Sequence, residues 1–274
     1  MGMMSRLLSK SYRKHGRPEW FRQFLVRKND ERIARLPFYR INPYRGRMSL
    51  QRVDHACVVD AQHAVFFHRI AKNANSSLVT SVWQLLHATE LSGDIKDKRK
   101  LKKIQVTPSA LTQAEAQAVD GYFKFFVVRN PYDRILSSYL SKVARPAKLG
   151  KPSKLYGGYE PVREIPSFAQ FCEILAQGAL YRNHHWIPQV DYLVFPKERY
   201  NLIARLESIN ADFDLLASKL GRPSGGSGMV AEDPKHKTDA SARRQEFYTD
   251  ALYEIVYNLY RADFDAFGYD KFDR

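Results

Sequence analysis

Cysteine is scarce in this sequence. Cys57 and Cys172 are the two it contains. They do not make a disulfide framework, and no Cys-x-x-Cys or His/Cys ligand spacing accompanies them. A structural zinc site is therefore not expected. Long apolar runs are also missing. No stretch reaches roughly 18 consecutive apolar residues, so no transmembrane helix is expected. The opening segment MGMMSRLLSKSYRKHG is basic but lacks the apolar stretch of a signal peptide. These absences give the expectation of a cytoplasmic chain in a reducing compartment, soluble or at the inner membrane surface. Glycine never falls in the G-x-x-x-x-G-K-[ST] order, which argues against a Walker-type ATPase or GTPase.

Negative charge is in the minority. The 274 residues carry 44 Lys and Arg against 29 Asp and Glu, a formal net charge of +15. Residues 1–50 alone hold 13 Lys/Arg and three Asp/Glu. A field of this sign attracts polyanions: nucleic acid, anionic lipid, or an acidic substrate with a phosphorylated cofactor. An apolar fraction of 44% with 13% aromatics is that of a globular chain with a sizeable core. The length suits one α/β domain with an arm. Residues 1–50 are read as a basic N-terminal arm and 51–274 as the domain.

Within the domain, strand and helix signals alternate. Ala64–Phe67 is a short apolar run of buried-strand type. The polar stretch His68-Arg69-Ile70-Ala71-Lys72-Asn73-Ala74-Asn75-Ser76-Ser77 follows. Residues 78–86 then have helical spacing, with Ser76 or Ser77 placed as a cap. Residues 94–103 read as a solvated basic loop or helix end. Tyr122–Val128 is the strongest strand signal, and Arg129-Asn130-Pro131 leads from it into a second helical stripe. Further helices are expected over residues 167–177, 209–220 and 247–264. Loops are expected over 145–165 and 221–240. Such alternation argues a parallel sheet with helices on both faces, whose ligands lie at the carboxyl ends of the strands.

Both polar turns fall at that edge. In the first, Lys72, Asn73, Ala74, Asn75, Ser76 and Ser77 join an ammonium and hydroxyls to a helix N-terminus, whose unpaired N–H groups and dipole favour an anion. In the second, Arg129 closes a strand, and Ser137 lies two helical turns on. An Arg fork and a hydroxyl suit a single phosphate. Taken alone, either turn is also what a surface lysine or a structural Arg–Asp pair would give. Together they form a candidate two-phosphate clamp.

The two turns resemble the 5′-phosphosulfate and 3′-phosphate motifs of the carbohydrate sulfotransferase family (sulfotransferase family 2), which includes the chondroitin 4-O-sulfotransferases. The likeness continues through Asn183-His184-His185-Trp186-Ile187-Pro188-Gln189, through Ala204–Ser208, and to the closing Tyr260-Arg261-Ala262-Asp263 and Phe267-Gly268-Tyr269. It covers about residues 60–270, with the motifs in order. Three positions depart from the family pattern: Ala71 where Pro is usual, Asn75 where a small residue is common, and Asn130 where an acid is usual.

The resemblance implies the sulfotransferase fold, an α/β architecture with a P-loop-NTPase-like parallel sheet flanked by helices. It implies 3′-phosphoadenosine 5′-phosphosulfate (PAPS) as sulfuryl donor and in-line transfer to a carbohydrate hydroxyl, without a metal. Lys72 is then the catalytic cation. Asn73, Ala74, Asn75, Ser76 and Ser77 hold the 5′-phosphosulfate, and Arg129 and Ser137 hold the 3′-phosphate. The base that takes the hydroxyl proton is His185, with His184 beside it. His68, Asp133 and Glu207 are further candidates, and Trp186 is either a core anchor or a sugar platform. The basic arm and residues 96–103 suit an anionic or lipid-linked acceptor and a peripheral membrane contact; nucleic acid is not an expected partner. Two other readings of the same features remain. One is a nucleotide-dependent kinase. The other is a catalytically silent module that binds nucleic acid or a membrane surface.

Overall fold

The computed structural model describes residues 19–87, 98–149, 155, 165–222, 229 and 238–273. A four-stranded sheet runs through it: β1 (Cys57–Asp60), β2 (Val65–His68), β3 (Phe123–Val128) and β4 (Leu202–Arg205), in that spatial order. β2, β3 and β4 are parallel. β1 pairs antiparallel with β2, Cys57 opposite His68 and Asp60 opposite Val65. The parallel expectation thus holds for three strands, and a hairpin adds a fourth.

Successive side chains of a strand point to opposite faces, and both faces are covered. Val65, Phe67, Phe125 and Val127 join a core under α1 (Asn75–His87), α2 (Lys98–Ile104) and α3 (Ile209–Lys219). Phe66, Phe126 and Val128 enter the larger core on the other side. That core is built with α4 (Pro131–Tyr139), α5 (Phe168–Ile174) and α6 (Asp250–Phe267). Phe126 is wholly buried; an aromatic so placed is worth about 3–5 kcal/mol against alanine. Helices on both faces were expected.

The arm divides. Its first 18 residues lie outside the described set. Glu19–Ala34 is a helix whose Trp20, Phe24 and Leu25 are exposed. Ile33, Phe38, Tyr39, Met48 and Leu50 are buried in the larger core. The composition that sets residues 1–50 apart therefore extends over a stretch that packs with the domain. Among the described residues, no helix is long and apolar enough to cross a membrane. Most of residues 145–165 and 221–240, expected as loops, lie outside the described residues.

Two features of the chain bear directly on the site. α4 does not stop at Tyr139 but widens into a π-helical turn, Leu140–Ala144. Single π turns of this kind often mark functional positions. Of the segment expected as a basic loop or helix end, residues 98–104 form a helix, with Leu101 fully buried against the sheet.

Candidate active site

The carboxyl ends of β2 and β3 carry the two polar turns, and the structure brings them into contact. An Arg129 Nη1 donates to the Lys72 carbonyl at 3.3 Å. Gln189 brackets the pair. Its Oε1 accepts from Asn73 Nδ2 at 2.6 Å and from the Arg129 N–H at 2.9 Å. Its Nε2 donates back to the Arg129 carbonyl at 2.8 Å. Asn73 Nδ2 also donates to the Val127 carbonyl. Gln189 and Asn73 are both buried. All three motif segments therefore meet at one amide. Nothing in the spacing of the sequence gave Gln189 this role.

Gln189 is itself held by Asp263 on α6, which accepts from the N–H groups of Gln189 and Val190 at 2.8 and 2.9 Å. Burial pushes the Asp263 carboxyl up to about 6, against the lowering influence of Arg134 and these N–H donors. Arg134 is also buried. It donates to the carbonyls of Ala71 and Ile187, tying the first turn to the segment before Gln189.

The Lys72 turn carries left-handed backbone at two residues that are not glycine: φ is 73° at Lys72 and 50° at Ala74. Such positions cost of order 1–3 kcal/mol each and cluster at functional sites. α1 starts at Asn75, so Ser76 and Ser77 lie inside its first turn rather than at its cap. The first α-helical bond runs from the Leu78 N–H to the Ala74 carbonyl, leaving the earlier N–H groups at an open helix end. Lys72 Nζ donates to Ser141 Oγ in the π turn at 3.0 Å. Ser77 Oγ, Asn73 Oδ1 and Asn75 Oδ1 are buried without a hydrogen-bond partner among the described residues. Buried polar atoms are seldom left so, and here they gather around an open helix N-terminus with a lysine beside it. The Ser77 hydroxyl, the N–H groups of the open helix end and the Lys72 ammonium can donate to a phosphosulfate, whereas the two asparagine oxygens are acceptors and cannot.

Lys102 extends the set. Its Nζ donates to Ser76 Oγ at 2.9 Å, which brings a second ammonium from α2 to the turn. No residue pattern in the chain assigns this lysine to the turn. Its signal was only that one lysine of a basic run followed a buried Leu101.

Arg129 and Ser137 lie just before and on the second turn of α4. Ser137 is buried, and its Oγ pairs with Thr238 Oγ1 at 2.9 Å. Asn130, where the family has an acid, caps α4 by accepting from the Tyr132 N–H at 2.9 Å, and its Nδ2 donates to Asp273 at 2.6 Å. An aspartate would keep the cap but could not donate to a second carboxylate.

Several further candidates are engaged elsewhere. Asp133 is buried, but an ion pair with Arg244 Nε at 2.5 Å and a hydrogen bond from Ser241 outweigh the raising effect of burial and lower its pKa. It is an ionised structural anchor, not a base. Glu207 accepts from the Asn130 N–H and the Tyr269 hydroxyl, joining β4 to the second turn. His68 is buried against Tyr200 and Cys57, and burial lowers its pKa to about 3. Trp186 is fully buried with its Nε1 on the Ala179 carbonyl, so it is a core anchor and not a sugar platform.

The two motif histidines separate. His185 is largely buried; its Nδ1 is 2.7 Å from Asn183 Oδ1 and its carbonyl accepts from Ser138. His184, with its ring 4.1 Å from that of His185, is exposed. It lines a cavity of about 500 Å³ together with Ala71 and Asn75 of the first turn and with Arg52, His55 and Arg69. Arg69 donates to the His55 carbonyl, while its Nε is buried without a partner among the described residues.

An open helix N-terminus with Lys72 and Lys102 beside it, at the carboxyl ends of the parallel strands and next to a cavity lined by Arg52 and Arg69, is the arrangement of an α/β protein with an anion-binding edge. Comparison with known proteins gives the class its family. A model described as "Sulfotransferase family" matches residues 55–270, and the chain belongs to that family. It is similar to carbohydrate sulfotransferase 12 of Xenopus laevis, at 27% identity over 177 residues, covering 56% of this chain and 41% of that protein. The chain thus matches less than half the length of that curated relative. No solved structure matches it.

Proposed function

We propose that the protein transfers the sulfuryl group of PAPS to a hydroxyl of an acidic carbohydrate. Family membership implies PAPS as the donor. The observation that carries the reading is the bracketed pair of turns: Lys72 and Arg129 in contact, fixed by Gln189. Bound PAPS would supply the electrophilic sulfur and a nucleotide leaving group.

The residues divide the remaining tasks. Lys72, Lys102 and the open end of α1 set positive charge where negative charge grows, usually the largest electrostatic contribution to such a reaction. Asn75, Ser76 and Ser77 at the open end of α1 hold the phosphosulfate, Asn73 braces their turn through Val127 and Gln189, and Arg129 with Ser137 holds the 3′-phosphate. His184, on the cavity wall, takes the hydroxyl proton; His185 behind it is the second candidate. The unpartnered Arg69 Nε and the neighbouring Arg52 support an anionic acceptor sugar, in a polysaccharide or linked to lipid. A peripheral contact with an anionic membrane would run through exposed Trp20, Phe24 and Leu25 and the basic Arg27 and Lys28, on a helix whose apolar and charged residues do not separate into two faces. We place that contact at the cytoplasmic face.

The test is transfer of labelled sulfate from PAPS to a panel of acidic and neutral glycans. Lys72→Ala and Arg129→Ala should each reduce turnover by roughly 10²–10³-fold. Activity that survives both changes would sink the assignment. The melting temperature of the wild type should rise with 3′-phosphoadenosine 5′-phosphate and not with Mg-ATP; the reverse would favour a kinase.

A further inference from the structure

The sheet has a second edge with chemistry of its own. β1 ends at Asp60, and the turn that follows contains His63 and a left-handed Ala64 at φ 54°. Asp60 pairs with Val65 at the start of β2, the strand end opposite the cofactor turn. α1 begins at the cofactor turn and finishes at His87, beside Asp60. Three elements thus deliver two imidazoles and a carboxylate to one spot.

Their donor atoms converge. His63 Nδ1 lies 3.0 Å from Asp60 Oδ1, and His87 Nε2 lies 3.1 Å from Asp60 Oδ2. One ligand atom from each of the three lies within 4.8 Å of the others. Ligands held about 2.0–2.2 Å from a tetrahedral ion stand about 3.3 Å apart, so the cluster already has nearly the right size. The rings are also oriented. Trp83 stacks on His87 with centroids 3.9 Å apart, and His63 meets His87 edge to face at 4.8 Å. The His63 N–H donates to Asp60 Oδ1 at 3.0 Å, fixing the carboxylate from behind. All three side chains are half-buried: sheltered from bulk water, yet reachable by an ion.

We propose that Asp60, His63 and His87 bind a divalent transition-metal ion, Zn²⁺ by chemistry. Two neutral imidazoles and one carboxylate suit Zn²⁺ and its neighbours, and exclude the all-oxygen preference of Mg²⁺ and Ca²⁺. Three protein ligands leave the fourth position to water. The ion would fasten the β1–β2 turn to the end of α1. It lies at the far end of α1 from the sulfuryl-transfer site and takes no part in that reaction. The alternative is a metal-free cluster in which Asp60 accepts one N–H from each ring.

The experiment uses the full chain without a polyhistidine tag, stripped with a chelator and titrated with ZnCl₂ by calorimetry. One ion should bind per chain, the melting temperature should rise with it, and EDTA should reverse both. His63→Gln and His87→Gln should each weaken binding by about 10-fold or more, while His55→Gln should not. Should the variants fail to fold, Co²⁺ added to the wild type should give the strong visible absorption of a tetrahedral site. A wild type that takes up no stoichiometric Zn²⁺ or Co²⁺ overturns the proposal in favour of the metal-free cluster. Two glutamine variants that bind as tightly as the wild type overturn it in favour of a site elsewhere.

Discussion

Around Gln189, side-chain and backbone groups hold one another in a closed network, whereas the wall of the neighbouring cavity is lined by longer cationic side chains. The Lys72 and Arg129 turns share one buried amide, which a buried carboxylate fixes in turn. The cavity is lined by Arg52, His55, Arg69 and the exposed His184 among others. The first arrangement suits a ligand that never varies, and the second suits recognition that can be retuned without disturbing the fold. Under the proposed function, donor binding and acceptor choice would be carried by different kinds of structure.

Three changes test that division. The largest effect is expected at the boundary. His184→Ala should lower turnover by about 10²–10⁴-fold, the usual contribution of a positioned base, with donor affinity unchanged. If His185→Ala has that effect and His184→Ala has none, the base belongs to the closed network and the division fails at its most important residue.

The next lies inside the network and is read through pH. The folded-state pKa of Asp263 is raised from 3.8 to about 6. The folded state therefore holds its proton more tightly than the unfolded chain. The stability this contributes is fully present below about pH 4 and is lost as pH rises through about 6, on the order of 3 kcal/mol. Unfolding free energies of the wild type and Asp263→Asn, compared by denaturant titration across that range, should show the wild type losing ground as pH rises. A constant difference would mean that Asp263 does not titrate and that the bracket is looser than described.

The smallest effect belongs to the cavity. Arg52→Ala should raise KM for an anionic acceptor by about 10-fold, an effect that shrinks with added salt, while KM for PAPS stays constant. A matching rise in both constants would merge the two regions into one.

Much of the framework was legible from residue patterns. The apolar run at 64–67, the strand at 122–128 and the helical stripe after Pro131 are local signals, and the structure has β2, β3 and α4 there. β1 carries no such signal, because four residues flanked by a short helix and a tight turn have no period to follow. Lys72 and Arg129 stood out because a turn between strand and helix marks them in the chain itself. Gln189 and Asp263 form their bond across 74 residues, and nothing near either residue announces it. Lys102 was hidden among other lysines, since a charge run looks the same whether or not one member turns inward. His63 and His87 match no ligand spacing, because strand, turn and helix bring them together only in three dimensions.

Lys72 and Ala74 hold left-handed backbone without the help of glycine. Glycine would enter that conformation with no steric penalty, but it would also wander among many others in an unfolded or loosened chain. A side chain at each position narrows that wandering, at the cost of strain that the surrounding bonds must hold. The disorder of gathering five or six donors into one cup is thereby removed once, when the polypeptide folds, instead of at every encounter with a nucleotide. Under the proposed function, in which a spent nucleotide leaves and a fresh one enters in each cycle, such a vessel would keep its form between the two.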